Sequence, residues 1–450
     1  MAKKLKSRLA AWAEPDRRGF LRFFLSKIFV RIFVFFVLVF SFARTPALAS
    51  PLQPLVDKLP FELDGFLEGA AAIRTREDPL QENDFDLGEL RLQLEASKIL
   101  DWAEFKYRGD FLYDAALQKS DFDLREANLI ASPLDFLDMK VGRQILTWGT
   151  GDLIFLNDLF PKDVQSFFIG RDVNYLKAPS DAAKFSFFLE AFNIDLVWTP
   201  RFNSDRFLTG ERLSFFNPAA GTKIGKNNRV NFIKPADWVK DSELALRIYK
   251  NIRGVELALY GYRGFFKDPA GVNASRQATF PALAVYGASA RGEILGGIGS
   301  AELAYRDSLD DRGGTDPNIE NSQLRLLFGL TREIVTNFTA GLQYNLERNL
   351  DFDALRKSLP QGAVLKDENR HLVTLRLTQL LFLQKLKLSL FTFYSPSDED
   401  AYFRPSLFYE VNDNLTFSLG GNIFLSKKNH TFFGQLQDNT TGYLRIRYSF

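Results

Sequence analysis

Charged side chains of both signs recur between positions 143 and 177, in and just before a stretch, 148–182, that we predict to be a long loop. This pattern supports electrostatic chemistry, because fixed charges that line a narrow passage select ions by sign. The alternative is an extracellular lid with solvated charges, but long loops with little structure of their own are usually functional. The residues that we expect to form a constriction are Arg143, Gln144, Trp148, Asp152, Asp158, Asp163, Arg171 and Asp172.

A second group of cationic side chains lies on the polar faces of alternating segments towards the C-terminus. Its members are Arg325, Arg376, Arg404, Arg445 and Arg447. Guanidinium groups suit carboxylates and phosphates, so a row of them on one surface would form a basic track for an anionic solute. Acidic residues such as Glu302 and Glu347 share these faces, which leaves structural cross-strand ion pairs as the alternative.

Bond-making chemistry has little support in the sequence. There is no Cys, so disulfides and thiolate metal sites are excluded, and two His are too few for a histidine-rich metal centre. Neither His371 nor His430 has a Ser and an acid at recognisable spacing. No helical pattern follows Gly149 and Gly151, so these glycines serve backbone turning and not phosphate binding. We therefore expect no enzymatic activity, no metal and no cofactor.

Extended strands must position these charged groups. After residue 50 no apolar run approaches the length of a membrane-spanning helix, and short segments instead alternate apolar and polar residues. The predicted strands are 61–75, 86–97, 102–113, 122–132, 135–147, 183–190, 193–199, 241–250, 254–264, 279–291, 297–307, 321–332, 336–347, 370–380, 385–395, 401–411, 414–425 and 440–450. The fourth, sixth and seventh of these eighteen are the weakest, so sixteen strands is the alternative.

The connections between predicted strands alternate in length. Those after even-numbered strands are short turns, whereas most of those after odd-numbered strands are long. The long connections are 148–182, 200–240, 265–278, 308–320, 348–369 and 426–439. Short turns on one side and long loops on the other are typical of transmembrane β-barrels, in which apolar faces meet lipid and polar faces meet a wet lumen. The even strand number places both termini on the periplasmic side.

Residues 1–49 have the order of a secretory signal peptide. A basic segment, 1–27, precedes an apolar run at 28–42 that is too short for a membrane anchor, and Ala47-Leu48-Ala49 offers a cleavage site. Arg17-Arg18 resembles a twin-arginine export motif, but a lipid-facing barrel cannot fold in the cytoplasm, so we favour export of the unfolded chain. The basic charge of the chain belongs to this leader, so we expect no nucleic-acid binding.

The last eight residues, 443–450, alternate with period two. Leu444, Ile446, Tyr448 and Phe450 share one face, and the chain stops on this aromatic, apolar face. The pattern resembles the closing strand of bacterial outer-membrane β-barrels. The resemblance implies that Tyr448 and Phe450 are the signal that the barrel assembly machinery recognises, and that this strand pairs with the first one.

Several short motifs resemble large porin-like outer-membrane families of proteobacteria. Gly142-Arg143-Gln144 followed by Trp148-Gly149 matches one family run, and Leu159-Phe160-Pro161-Lys162-Asp163 is a partial match to an Asn-Pro-Arg-Asp-like stretch. Segments 197–202, 420–424 and 432–436 are similar to the same families. The resemblance implies passage of a solute, and related alginate-export barrels pass an anionic polysaccharide. It leaves a monomer and a homotrimer both open.

We therefore expect an all-β protein, a transmembrane antiparallel up-and-down β-barrel over 61–450. A signal peptide over 1–49 and a short periplasmic lead-in over 50–60 precede it, and the barrel lies in the outer membrane of a Gram-negative bacterium. The expected function is a porin that passes small polar or anionic solutes by diffusion through a charged constriction. The alternatives are a barrel of a polysaccharide or hydrophobic-compound export or uptake system, and a non-transport surface-binding barrel. The expected partners are outer-membrane lipid, the assembly machinery and the solute.

Overall fold

The computed structural model describes residues 59–450. The predicted signal peptide over 1–49 lies outside the described residues, and so does all but the end of the predicted lead-in over 50–60. None of the helices within 59–450 combines the length and the apolar character needed to cross a bilayer.

Within residues 59–450, eighteen antiparallel strands form one sheet. They are β1 Glu62–Arg74, β2 Phe85–Ile99, β3 Glu104–Asp114, β4 Lys119–Leu134, β5 Leu137–Ile145, β6 Pro179–Phe188, β7 Asn193–Thr199, β8 Glu243–Ile252, β9 Val255–Phe265, β10 Ala282–Ile294, β11 Gly297–Ser308, β12 Gln323–Val335, β13 Phe338–Asn349, β14 Asn369–Leu381, β15 Leu386–Ser395, β16 Asp400–Glu410, β17 Leu415–Ser426 and β18 Thr441–Ser449. Each strand coincides with a predicted one, so the prediction of eighteen strands is confirmed and sixteen is wrong.

Each strand pairs with its neighbours in the chain, and β18 pairs with β1 to close the sheet into a barrel. Phe66 lies opposite Ser449, and Arg74 lies opposite Thr441. The last rung joins Gly65 and Phe450 through two backbone hydrogen bonds, with N–O distances of 3.1 and 3.0 Å. Closure leaves no free strand edge, which a sheet in lipid requires. The predicted up-and-down barrel is confirmed.

Side chains alternate between the two faces of the barrel wall as the sequence predicts. On β2, Glu89, Arg91 and Gln93 are buried on the inner face, whereas Leu90 is exposed on the outer face. Exposed aromatic residues gather on the outer face at both ends of the strands, as in the interfacial girdles of membrane barrels. Near the long loops these residues are Tyr113, Trp198, Tyr286, Tyr344 and Tyr394; near the short turns they are Trp102, Phe136, Phe188, Phe192 and Phe382.

The two ends of the barrel differ in their connections. Even-numbered strands end in tight turns, such as Arg253-Gly254 and Leu295-Gly296, in which both residues have positive φ, as type I′ turns require. We call this end the short-turn rim. Most odd-numbered strands end in long connections at the other end, which we call the long-loop rim. The long connections are 146–178, 200–242, 266–281, 309–322, 350–368 and 427–440.

The long connections contain little regular structure of their own. The first holds a helix, α1 Val164–Ile169, and a 3-10 turn at Val173–Leu176. A second helix, α2 Phe352–Ser358, lies in 350–368, and a 3-10 turn spans Gly434–Asn439. Two short strand pairs, Phe215–Asn217 with Thr222–Ile224 and Gly271–Val272 with Ala278–Thr279, lie outside the barrel sheet.

Substitution of Gly65 tests the closure between β1 and β18. A Cβ at Gly65 would lie 2.5 Å from the Gln93 carbonyl oxygen and 2.9 Å from the Phe450 ring. We expect Gly65→Val to destabilise the barrel by about 1–3 kcal/mol, the usual cost of overpacking. The temperature at which the folded band converts to the unfolded band on a denaturing gel should fall.

The matched control is Gly261→Val, on the outer face of β9, where an added Cβ meets nothing within 4 Å. It should leave the conversion temperature unchanged. Equal conversion temperatures for the two variants would contradict the register of the closing strands.

Candidate functional site

Residues 146–178, which we call the lumen loop, lie inside the barrel. Their polar contacts reach inner-face side chains on strands from several parts of the wall. Asp152 contacts β13 and β14 through Gln343 and Arg376, and Asp172 contacts β18 through Arg445. On β2, Arg171 binds Glu89, with distances of 3.0 Å from its Nε to both carboxylate oxygens. The predicted long loop therefore spans the lumen, with its ends on β5 and β6.

The beginning of the lumen loop wraps a carboxylate of the barrel wall. The backbone N–H groups of Thr150 and Gly151 donate to Oε1 of Glu302 on β11, the latter at 2.8 Å. The Asn157 amide donates to Oε2 of the same carboxylate at 2.9 Å. Gly149 has a φ of +81°, and a Cβ there would lie 3.2 Å from Glu302. The backbone donors of this glycine turn are thus occupied by the wall itself.

The middle of the lumen loop packs against aromatic side chains that point into the barrel. Helix α1 begins after Asp163, whose side chain accepts from the Ser166 N–H at 2.7 Å, and ends at Gly170, with φ of +91°. The Phe168 ring lies 5.7 Å from Tyr402 and 5.6 Å from Phe424.

The expectation of a wet, polar inner face is therefore wrong for part of the wall. Phe391, Phe393, Tyr402 and Phe424, on β15 to β17, are buried on the inner face. They are tolerated there because the apolar residues of α1 exclude water from this side of the lumen.

Two of the predicted constriction residues, Asp158 and Asp163, are buried acids with basic partners. Asp158 lies 2.9 Å from the Lys162 ammonium and accepts from the Thr147 hydroxyl at 2.8 Å. Asp163 caps α1 and lies 3.3 Å from Arg206. Their charges are neutralised within the loops, so they hold the loop fold instead of facing a solute.

Two other predicted residues, Arg143 and Gln144, do not face the lumen water. Arg143 shares the outer face with Val141, which is exposed, and its guanidinium pairs with Asp181 at 2.9 Å. Gln144 is fully buried, and its amide donates to the Ala182 carbonyl at 2.8 Å. The prediction that Arg143 and Gln144 belong to the constriction is therefore corrected: both are residues of the barrel wall. Arg143 forms an ion pair with strand β6, and Gln144 donates to a backbone carbonyl of the same strand.

Trp148 is half-buried at the start of the lumen loop and packs edge-on against Phe160, with ring centroids 4.9 Å apart. Its other neighbour is Tyr260 on the inner face of β9, at 6.1 Å. The indole therefore anchors the loop to the wall.

The five arginines of the predicted basic track lie on the inner face, and four of them have acidic partners. Arg376 pairs with Asp152 at 2.7 Å, and both side chains keep about a third or more of their surface exposed. The other pairs are Arg445 with Asp172 at 2.9 Å, Arg447 with Glu68 at 2.8 Å, and Arg325 with Glu347 at 3.6 Å. Two of these pairs, Arg447–Glu68 and Arg325–Glu347, join neighbouring strands, as the alternative of cross-strand ion pairs predicts. The other two join the wall to the lumen loop.

Arg404 differs from the other four. Within residues 59–450 its side chain forms one hydrogen bond, to the Arg171 carbonyl at 3.3 Å, and its guanidinium lies 4.5 Å from the centre of the Phe167 ring. Among residues 59–450 no acid forms an ion pair with it. Phe391 of β15 lies directly opposite Arg376 of β14 and Arg404 of β16, so the two arginines lie in one row across the sheet.

A second long connection, 200–242, which we call the mouth loop, extends to the opposite side of the long-loop rim. Its Arg212 is buried, pairs with Asp114 of β3 and donates to the Asp86 carbonyl at 2.6 Å. Asn439, in the connection before β18, donates to the Ser214 carbonyl at 2.7 Å. No local sequence pattern indicates that Arg212 is buried, so the way in which this loop is fastened to β3 could not be predicted.

Both histidines lie next to aromatic side chains. The His371 Nδ1 is 2.8 Å from the hydroxyl of Tyr344, on the outer face of the barrel. His430 lies in the last long connection, with its ring 6.0 Å from Phe216. Within residues 59–450, no group of three or more His, Asp and Glu is arranged to hold a metal ion.

A closed barrel of eighteen antiparallel strands, with one long loop folded into its lumen, defines a porin-like β-barrel. Solved structures share this fold: Acinetobacter baumannii OccAB3 has a TM-score of 0.54 at 11% identity, covering 87% of this chain and 99% of that one. Acinetobacter baumannii OccAB4 has 0.53 at 10% identity over 87% and 98%, and Pseudomonas aeruginosa OccK11 has 0.51 at 12% over 86% and 95%. These neighbours are outer-membrane porins. No family model matches the chain, and no curated protein sequence does.

Truncation of Phe168 tests the packing of the lumen loop. We expect Phe168→Ala to weaken docking of α1 by about 3–5 kcal/mol, the usual cost of truncating a buried Phe. Protease should then cleave within 146–178 at concentrations that leave the wild type intact. Trp238→Ala, at an exposed site of the mouth loop, is the control and should leave cleavage of the lumen loop unchanged. A resistant Phe168→Ala protein would contradict the packing.

The carboxyl group of Asp205 should make the contact between the lumen loop and the mouth loop depend on pH. It accepts from the Lys162 N–H at 2.7 Å, and burial, reinforced by Asp268, raises its pKa from 3.8 to about 7. Lys162 and Lys267 oppose this shift. Because the folded state holds a proton that the unfolded state releases, the contact should weaken as pH rises from about 4 to about 7.

Hydrogen exchange of the Lys162 amide, corrected for its intrinsic pH dependence, should therefore show stronger protection at pH 5 than at pH 8. The Asp205→Asn variant keeps the acceptor and stays neutral, so its protection should not change with pH. Wild-type protection that increases with pH would contradict this account.

Proposed function

We propose that this protein is an outer-membrane porin through which small polar or anionic solutes diffuse, past a constriction formed by the lumen loop. The observation that carries the proposal is the Asp152–Arg376 pair. It joins the lumen loop to the wall, and both side chains remain exposed to water within the barrel. A passage bounded by this pair would present fixed charge of both signs to a solute.

The preference for anions rests on Arg404, which is only 9% exposed but has no acidic partner among residues 59–450, so its charge acts on the passage over a distance and not by contact. Arg404 is the one arginine of the basic track with no ion pair among the described residues, and it lies in the same row as Arg376. The acids Asp158 and Asp163 are buried against basic groups and do not offset it. Of the predicted constriction residues, we retain Asp152, Arg171 and Asp172 as those that set the shape and charge of the passage.

A second candidate function is a barrel that opens only with a partner, as part of an export or uptake system for polysaccharide or hydrophobic compounds. The mouth loop favours it, because the buried Arg212–Asp114 pair fastens this loop across the long-loop rim. The inner aromatic residues do not favour a hydrophobic cargo, since Phe167 and Phe168 already cover them. The mouth loop also offers the surface that a non-transport binding barrel would use.

The proposal includes the route by which the chain reaches its membrane. We propose export in the unfolded state, removal of residues 1–49 near Ala49, and recognition of Tyr448 and Phe450 by the barrel assembly machinery of a Gram-negative bacterium. Both aromatic residues lie at the end of β18, next to the seam with β1. The proposal applies equally to a monomer and to a homotrimer.

Reversal potentials in planar bilayers with a salt gradient test the anion preference. We expect Arg404→Gln to reduce the anion-over-cation permeability ratio about fivefold. Loss of one positive charge at roughly 8 Å in water disfavours the anion by about 0.5 kcal/mol and favours the cation by the same amount. Arg356→Gln is the control: it removes a guanidinium from the exposed helix α2 and should leave the ratio unchanged. An unchanged ratio in Arg404→Gln would refute the role of Arg404.

Removal of residues 150–178 separates the candidate functions. A porin narrowed by the lumen loop should conduct before the deletion and show a larger, less selective conductance after it. A partner-opened barrel should be closed in the wild type, with steady current only when a loop is removed or a cargo is added. No conductance in either protein would overturn both transport functions and leave the surface-binding barrel.

A further inference from the structure

Two exposed arginines whose side chains have no partner among residues 59–450 lie near two exposed tryptophans at the long-loop rim. Arg263 is on the outer face of β9, and Arg201 precedes Phe202, whose ring lies 5.2 Å from that of Phe265, two residues after Arg263. Arg263 of β9 and Arg201, at the start of the mouth loop, are exposed, and their side chains form no hydrogen bond or ion pair with any residue that the structure describes. Trp198 of β7 and Trp238 of the mouth loop are 40% and 65% exposed. We call these four residues the rim patch.

The register of the sheet places part of this patch in one row. Leu244 of β8 lies directly opposite both Trp198 and Arg263. The three residues face outward: Leu244 is 49% exposed, whereas its neighbour Glu243 and the neighbour of Trp198, Val197, are buried. Arg263 therefore projects from the lipid-facing side of the wall and not into the lumen.

Aromatic residues locate this row at the boundary between lipid and water. Tyr286 and Tyr305, opposite each other on β10 and β11, are exposed on the same face, one side-chain step nearer the short-turn rim. Leu257 and Leu259 continue the apolar surface of β9 below them. Tyr and Trp gather where headgroups meet the hydrocarbon, so Arg263 lies at the level of the headgroups.

The foot of the mouth loop adds an independent observation. Val239 has a φ of +65°, a strained conformation for a β-branched residue, and its N–H donates to the Pro200 carbonyl at 2.8 Å. Pro200 is two residues after Trp198, so this turn holds Trp238 and Val239 at the rim close to Trp198. About two thirds of each of the two side chains is exposed. The turn therefore keeps two apolar side chains exposed at the rim, where they can contact a molecule outside the chain.

We propose that the rim patch binds the phosphate-bearing headgroup of a membrane lipid in the leaflet at the long-loop rim. Arg201 and Arg263 bind the phosphate, since a planar guanidinium donates two parallel hydrogen bonds to it. Trp238 and Val239 insert between headgroups beside it. Neither nearby acid forms an ion pair with the two arginines: Asp237 pairs with Lys240, and Asp241 accepts from the Asp237 N–H.

Native mass spectrometry of the purified full barrel in detergent tests this proposal. The probes are a diphosphorylated lipid A and the same lipid without its phosphates. We expect the wild type to retain the phosphorylated lipid at least about tenfold better, and the double variant Arg201→Gln/Arg263→Gln to lose that difference.

The matched control is Arg253→Gln/Arg332→Gln, which removes two exposed guanidinium groups at the short-turn rim. It should retain the phosphorylated lipid as the wild type does. All variants should show the wild-type conversion temperature on a denaturing gel, because the substituted residues are exposed.

Three results would overturn the proposal. The first is equal retention of the two lipids by the wild type, and the second is undiminished retention by the double variant. The third is a wild-type oligomer that binds no lipid and dissociates in the double variant, which would assign the patch to a second copy of the chain. None of these results depends on conduction, so they leave the proposed porin function to its own test.

Discussion

The structure depends on the closure of one sheet, because a backbone N–H or C=O group in lipid has no partner except another strand. The pairing of β18 with β1 supplies the last of these partners. Closure then fixes which side of every strand meets lipid. Alternate side chains are thereby enclosed in the lumen, where polar and apolar groups alike need partners from within the protein.

The lumen loop supplies many of those partners. Its glycine turn donates to Glu302, its arginine binds Glu89, and its helix covers the inner aromatic residues. Each contact satisfies a group of the wall that would otherwise face a narrow, poorly hydrated space. The same contacts fix the loop across the lumen, so the demand for partners inside the barrel also produces the arrangement that would restrict a solute.

The strands and their closure could be predicted because alternation with period two is a local signal. The inner aromatic residues were missed, although Leu390, Phe391, Phe393 and Tyr394 place apolar side chains on both faces of one strand, and a strand that is apolar on both faces is covered on both. The outward facing of Arg143 also follows from alternation, because Arg143 has the same parity as the exposed Val141, so the sequence carried this signal too. The burial of Arg212 depends on contacts between segments far apart in the chain, so it could not be predicted locally.

The central claim is that the lumen loop borders the path that solutes take, and the absence of Cys from the chain permits a direct test. An Asp152→Cys variant, recorded as single channels in a planar bilayer, can be treated with a charged thiol-specific reagent. The account predicts a stepwise fall in current that a reducing agent reverses, with no change in the treated wild type. An unchanged current in a variant shown to be fully modified would contradict it.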